Sequence, residues 1–174
     1  MQKKDKINKS NNINLYNNIV SLSRKKFFYT KFDLQDTFQN RINLIFFHVS
    51  FLFIKIKQQK EANLYKVFYQ NIFDLIFKNI ELNMREIGHG DVTVNKNMKF
   101  LVKSFYDILL NCEKYQEKND NFKTTFLMKY IELNNRNKTP TIQKILLNFE
   151  KSTSGISMFI FSFILFFIHL NYNL

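Results

Sequence analysis

Residues 42–56, INLIFFHVSFLFIKI, are apolar on nearly every side when wound as a helix. Such a rod cannot lie on a protein surface; it is either the centre of a bundle or a membrane span. The stretch holds 15 residues, with Asn43, His48 and Ser50 inside it. A span needs roughly 20 apolar residues. Burial at the centre of a helical bundle is therefore expected. Arg41, His48 and Lys55 recur every seven positions and form one polar seam on this rod.

The remaining chain can supply the surrounding helices. From residue 14 the spacing is helical nearly throughout, with no strand-like alternation. Leu15, Ile19 and Leu22 mark a first short helix, closed by the basic run Arg24-Lys25-Lys26. Phe27, Phe28, Tyr29 and Phe32 form an aromatic connector. Asp36 and Thr37 are both good N-caps for the central helix, expected over 37–57. A third helix over 61–82 carries Leu64, Phe68, Ile72, Leu75 and Ile76. After a break at 85–94, a fourth starts near Asn95 and buries Met98, Leu101, Val102, Phe105, Leu109 and Cys112. Lys96, Lys99, Lys103, Asp107 and Lys114 lie largely off that stripe. A fifth helix carries Phe122, Phe126, Tyr130 and Leu133, and Thr139-Pro140 opens a sixth.

The expected fold is all-α: a single bundle of about six helices with an apolar C-terminal helix or tail. Three segments are expected: a disordered basic N-terminus at 1–13, a helical domain at 14–154 and an apolar tail at 155–174. Residues 156–170 are mostly apolar and uncharged when His169 is neutral. They read either as a membrane-associated segment, interfacial or tilted, or as a last helix packed on the bundle.

The net charge is +12, and the first 31 residues carry eight Lys/Arg against one acid. A basic start suits an anionic neighbour such as RNA, a ribosome or acidic phospholipid. The abundance of Phe, Ile, Asn and Lys also reads as A+T-rich coding, which raises Lys without selecting any partner. Residues 1–13 lack the apolar run of a secretory signal and the arginines of a mitochondrial presequence. The simplest reading is a cytoplasmic start in a bacterium, with a mitochondrial protein carrying an unusual leader as the alternative.

Catalytic constellations are not evident. Cys112 is the single cysteine, so neither an intramolecular disulfide nor a cysteine zinc cluster can form. His48, His89 and His169 are not paired at metal-ligand spacing. Three glycines cannot make a glycine-rich phosphate loop. No catalytic residue, metal, cofactor or small-molecule substrate is expected. Acid–base work around Arg85, His89 and Asp91 would lack an accompanying nucleophile or metal set.

One segment stands apart: MREIGHGDVTV, residues 84–94, which holds two of the three glycines. It reads either as a shaped loop that a partner recognises, or as a connector whose charges satisfy one another and nearby helix ends. Arg41 and His48 are candidates to supply polar partners to it.

This segment and two others resemble the ubiquinol–cytochrome c chaperone family. Tyr16-Asn-Asn-Ile-Val with Arg24 and Phe28-Tyr29 is similar to the family's N-terminal helix and aromatic turn. Asp36-Thr37-Phe38-Gln39-Asn40-Arg41 leading to His48 is similar to its second stretch. Met84 to Asp91, with Val94, Met98, Phe105 and Tyr106, is similar to the third and most specific. Asn40 and Ile42 depart from the usual Gly and Phe, His89 from a small apolar residue, and Asn95 from a common proline.

The resemblance implies a non-catalytic chaperone for assembly of respiratory complex III at the inner membrane. Its client would be newly made cytochrome b. A small partner chaperone and a ribosome contact through the N-terminal Lys/Arg would accompany it. Candidate partner- or client-binding residues are Arg85, Glu86, Gly88, His89, Gly90 and Asp91, with Asp36, Thr37, Arg41, His48, Phe105 and Tyr106. The alternatives are a ribosome- or RNA-associated basic helical protein and a tail-anchored structural membrane subunit.

Overall fold

Thr37 starts the helix that organises the molecule. Its hydroxyl accepts the Asn40 amide at 3.1 Å, and its carbonyl accepts the Arg41 amide at 3.1 Å. That is an N-cap, and the central helix follows from Phe38. The computed structural model describes residues 2–57 and 62–134. Among them lie α1 (Gln2–Ser23), α2 (Lys26–Thr30), α3 (Phe38–Lys57), α4 (Ala62–Glu86), α5 (Asp91–Cys112) and α6 (Asp120–Tyr130). A 3₁₀ turn, Tyr115–Glu117, precedes α6. The protein is all-α; the one strand-like feature among the described residues is an isolated antiparallel bridge between Leu34 and Leu133.

α3 is the core, as its composition requires. Every residue from Ile42 to Ser50 is buried. The helix packs on α1, α4 and α5, most extensively on α5. Its phenylalanines reach different neighbours. Phe46 meets Phe77 of α4 and Phe105 of α5, with ring centroids 5.6 and 5.3 Å apart. Phe47 meets Phe126 of α6 at 5.6 Å. A rod that is apolar all round thus finds a partner on each side, which is what removes its surface from water.

Several boundaries differ from those expected. α1 begins at Gln2 rather than at residue 14; no glycine or proline interrupts the stretch between. The aromatic connector contains a five-residue helix, α2, whose Phe28 is buried and stacks on Phe27 at 4.2 Å. α4 continues through Glu86, and α5 starts at Asp91 rather than near Asn95. The reason is local: Gly90 is extended and its carbonyl accepts the Val94 amide at 3.0 Å. Asp91 then sits in the first turn, where a carboxylate suits the helix dipole. The buried stripe of α5 comprises Val94, Leu101, Phe105, Ile108 and Cys112, while Met98, Val102 and Leu109 are partly covered. Cys112 is a buried free cysteine, and burial pushes its thiol well up. Leu133 lies beyond α6, in the bridge. The expected sixth helix and the 155–174 tail fall outside the described residues.

Two buried asparagines tie the end of α6 to the start of α3. Asn40 donates from Nδ2 to the carbonyls of Gln35 and Glu132, both at 2.8 Å. Its Oδ1 accepts the Glu132 amide at 2.9 Å. Asn43 donates to the Tyr130 carbonyl at 2.6 Å. Beside them the Gln35 amide bonds to the Glu132 carbonyl and the Asn134 amide to the Asp33 carbonyl.

His48 is buried in mid-α3, and its Nδ1 donates to the Leu44 carbonyl at 2.6 Å in the neutral ring. Burial lowers its pKa from 6.5 to about 4; the carbonyl bond opposes this and nearby Lys25 adds to it. The unfolded chain therefore binds the extra proton more readily than the folded one. Stability is full above pH 6.5 and drains as pH falls towards 4. Between pH 6.5 and 5 the expected loss from this residue is about 2 kcal/mol. Urea titrations of the wild type and His48→Gln test this: between pH 6.5 and 5 the wild type should lose about 2 kcal/mol more than the variant.

Candidate functional site

The α4–α5 junction is a tight turn rather than a long loop. The Gly88 amide bonds to the Arg85 carbonyl at 3.0 Å and the His89 amide to the Met84 carbonyl at 3.1 Å. This Schellman pattern closes α4 and requires a left-handed residue at Gly88, whose φ is +91°. Gly88→Ala should cost about 1–2 kcal/mol in chemical unfolding despite the open space around it. Gly90 has φ −72° and equally open surroundings, so Gly90→Ser should be neutral to slightly stabilising. Equal losses from the two changes would contradict this division.

The charges of the turn pair with one another. Arg85 donates to Glu81 from Nε and Nη2 at 3.0 and 2.9 Å, and from Nη1 to Asp91. It therefore spans the two helices, although exposed pairs of this kind add little stability. Glu86, Ile87 and Val92 face solvent. His89 is half-buried, and its Nδ1 is enclosed without a hydrogen-bond partner.

Asp36, Thr37 and Arg41 gather at the start of α3 instead. Arg41 grips Asp36 at two points, Nε to Oδ1 and Nη2 to Oδ2, both 2.7 Å. The hydrogen bonds to Arg41 hold the Asp36 carboxyl below its ordinary range. No hydrogen bond joins Arg41 to the α4–α5 turn among the described residues. His48 uses its Nδ1 within α3 and presents its ring to Phe28 at 6.1 Å.

Phe105 and Tyr106 take opposite roles. Phe105 is buried at the hub of the aromatic core, with rings of Phe46, Phe53, Phe73 and Phe77 within 6.2 Å. Tyr106 is exposed and lines an open groove of about 330 Å³ between α3, α4 and α5. Phe53, Tyr69, Phe73, Leu109 and Leu110 make most of its apolar wall, and Lys57, Lys66 and Glu113 stand at its edge.

The twelve candidate residues therefore fall in three places: the turn, the start and middle of α3, and the second half of α5. The groove was not anticipated from sequence, because it exists only where three helices diverge. The available signal was Leu110, an apolar residue off the buried stripe of α5.

The arrangement is a helical bundle with its candidate residues at its surface and in its core. It has an exposed apolar groove, and no cluster of three or more metal-ligating side chains occurs among the described residues. No described helix is long and apolar enough to cross a membrane. Residues 30–130 match the family described as ubiquinol-cytochrome C chaperone, which is more than half of the chain. The chain belongs to the ubiquinol–cytochrome C chaperone family. It is similar to the crystal structure of the Cbp3 homolog from Brucella abortus, with a TM-score of 0.63 and 28% sequence identity. That likeness covers 75% of this chain and 71% of the other. No curated protein matches the chain.

Proposed function

We propose that this chaperone holds newly made cytochrome b while complex III is assembled, and does no chemistry on it. Family membership supports an assembly chaperone for complex III. The observation that carries the finer reading is the groove between α3, α4 and α5. Transmembrane clients display apolar helices before they find their partners, and an apolar groove is the surface such helices seek. Its volume of about 330 Å³ suits one or two client side chains rather than a whole helix. Tyr106 and Leu110 stand exposed at its wall and can reach a client without refolding the bundle. The working location is the respiratory membrane face, where cytochrome b is inserted.

A photo-crosslinking residue at position 110 tests this in cells that make complex III. The expected product is a covalent adduct with cytochrome b. Tyr106→Asp with Leu110→Asp should abolish the adduct and lower assembled cytochrome b several-fold while circular dichroism stays unchanged. Normal complex III in that double variant, with no cytochrome b adduct in the parent, would refute the proposal.

A further inference from the structure

α5 carries two stripes, and the bundle uses one. Its core stripe is buried. On the opposite side, Val92, Lys96, Lys99, Lys103, Tyr106 and Leu110 fall within about 40° of one line along the helix. Phe100 flanks that line. The apolar members are strongly exposed: Val92 84%, Leu110 68%, Phe100 59% and Tyr106 50%. The line is about 27 Å long at 1.5 Å per residue. Single exposed apolar residues are ordinary, but three along one line of a helix with a fourth at its flank form a patch.

The charge on this face is uncompensated. The acids of α5 and its end are each engaged elsewhere: Asp91 by Arg85, Asp107 by Lys129 at 2.6 Å, and Glu113 by Lys57 at 2.8 Å. Lys96, Lys99 and Lys103 are exposed and have no ion pair among the described residues. The result is a straight, convex ridge of lysines interleaved with apolar and aromatic side chains. Lysines spread their ammonium groups towards phosphates while their stems and the apolar neighbours enter the headgroup layer.

We infer that the outer face of α5 is a docking surface for an anionic phospholipid bilayer. The charge favours an anionic partner, and the four exposed apolar side chains favour a membrane interface over a nucleic acid. The ridge is convex, so it can lie flat on a surface much larger than itself. It runs into the groove at Tyr106 and Leu110, which places the groove mouth at the bilayer surface. This surface does not depend on which client is held.

The full chain contains no tryptophan, so Phe100→Trp supplies a single reporter on the ridge. Its emission should shift to the blue with vesicles of phosphatidylcholine plus phosphatidylglycerol and stay fixed with phosphatidylcholine alone. Replacing Lys96, Lys99 and Lys103 together with Gln should weaken vesicle binding by about a hundredfold, and added salt should weaken the parent similarly. A control with Lys26, Lys31 and Lys78 replaced by Gln has the same net charge and should bind nearly as the parent does. All these residues are exposed, so folding is retained. Three results overturn the inference. One is equal loss in both triple variants. Another is an unshifted reporter on protein that floats with the vesicles. The last is sensitivity of tRNA binding, rather than vesicle binding, to the α5 lysines.

Discussion

Asn40→Ala is expected to destabilise the protein by about 3–5 kcal/mol and to lower its thermal midpoint by roughly 10 °C or more. Asn40 is fully buried and makes three side-chain bonds to backbone, two as donor and one as acceptor. Alanine removes all three, but the groups left behind are not equally affected. The Gln35 carbonyl keeps the Thr37 amide, and the Glu132 carbonyl keeps the Gln35 amide. The Glu132 amide loses the acceptor it has, and a donor orphaned at this part-buried junction is the costly case. Asn40→Asp sharpens the test: it retains an acceptor for that amide, loses both donors and turns a carboxylate towards two carbonyl oxygens. It should cost at least as much as alanine near neutrality and recover partly in acid, where the carboxyl is protonated. Urea denaturation of the three proteins at two pH values measures both effects. A loss below about 1 kcal/mol for alanine would mean that the bridge region is held by something else.

Phe105→Ala and Tyr106→Ala should separate packing from recognition at adjacent positions. Phe105 is 1% exposed and contacts rings from α3 and α4 as well as Tyr106. Truncation removes a large apolar volume and leaves a cavity at the hub, so a loss of about 3–5 kcal/mol is expected. Tyr106 is half exposed, and its loss should change stability by no more than about 1 kcal/mol. On the proposed function, Tyr106→Ala should nevertheless reduce capture of cytochrome b by the position-110 crosslinker. The informative outcome is this opposition. A stable Phe105→Ala would contradict the packing described for α5, and unaltered crosslinking in Tyr106→Ala would argue against the groove as the client seat.

The central helix was legible because its apolar stretch of fifteen residues has to be buried on every side and is too short for a membrane span. What surrounds it was less so. The start of α5 was expected at Asn95, since an asparagine before an apolar stripe is a good cap; the structure uses the backbone of Gly90 instead. Nothing in the periodicity distinguishes these two starts, because Val94 fits the buried stripe whichever is used. Ile108 displaces Leu109 from the deepest position for a similar reason: adjacent apolar residues leave the phase of the stripe open by about 100°. The Arg85–Asp91 segment was singled out correctly as a special backbone, and Gly88 shows why. Asn40 was visible as a departure from the family's usual glycine. Its use was not, because its partners lie 92 residues away at Glu132.

The lacing of Leu34 to Leu133, with Asn40 between, sets how the molecule responds to mechanical load. The chain beyond Asn134 leaves from a point pinned beside the root of α3, not from the free end of α6. A pull from that side is carried by backbone hydrogen bonds from Glu132 and Asn134 to Gln35 and Asp33, and by the Asn40 side chain into α3, before it reaches α6. The protein can thus be tugged from that side without unwinding α6 first.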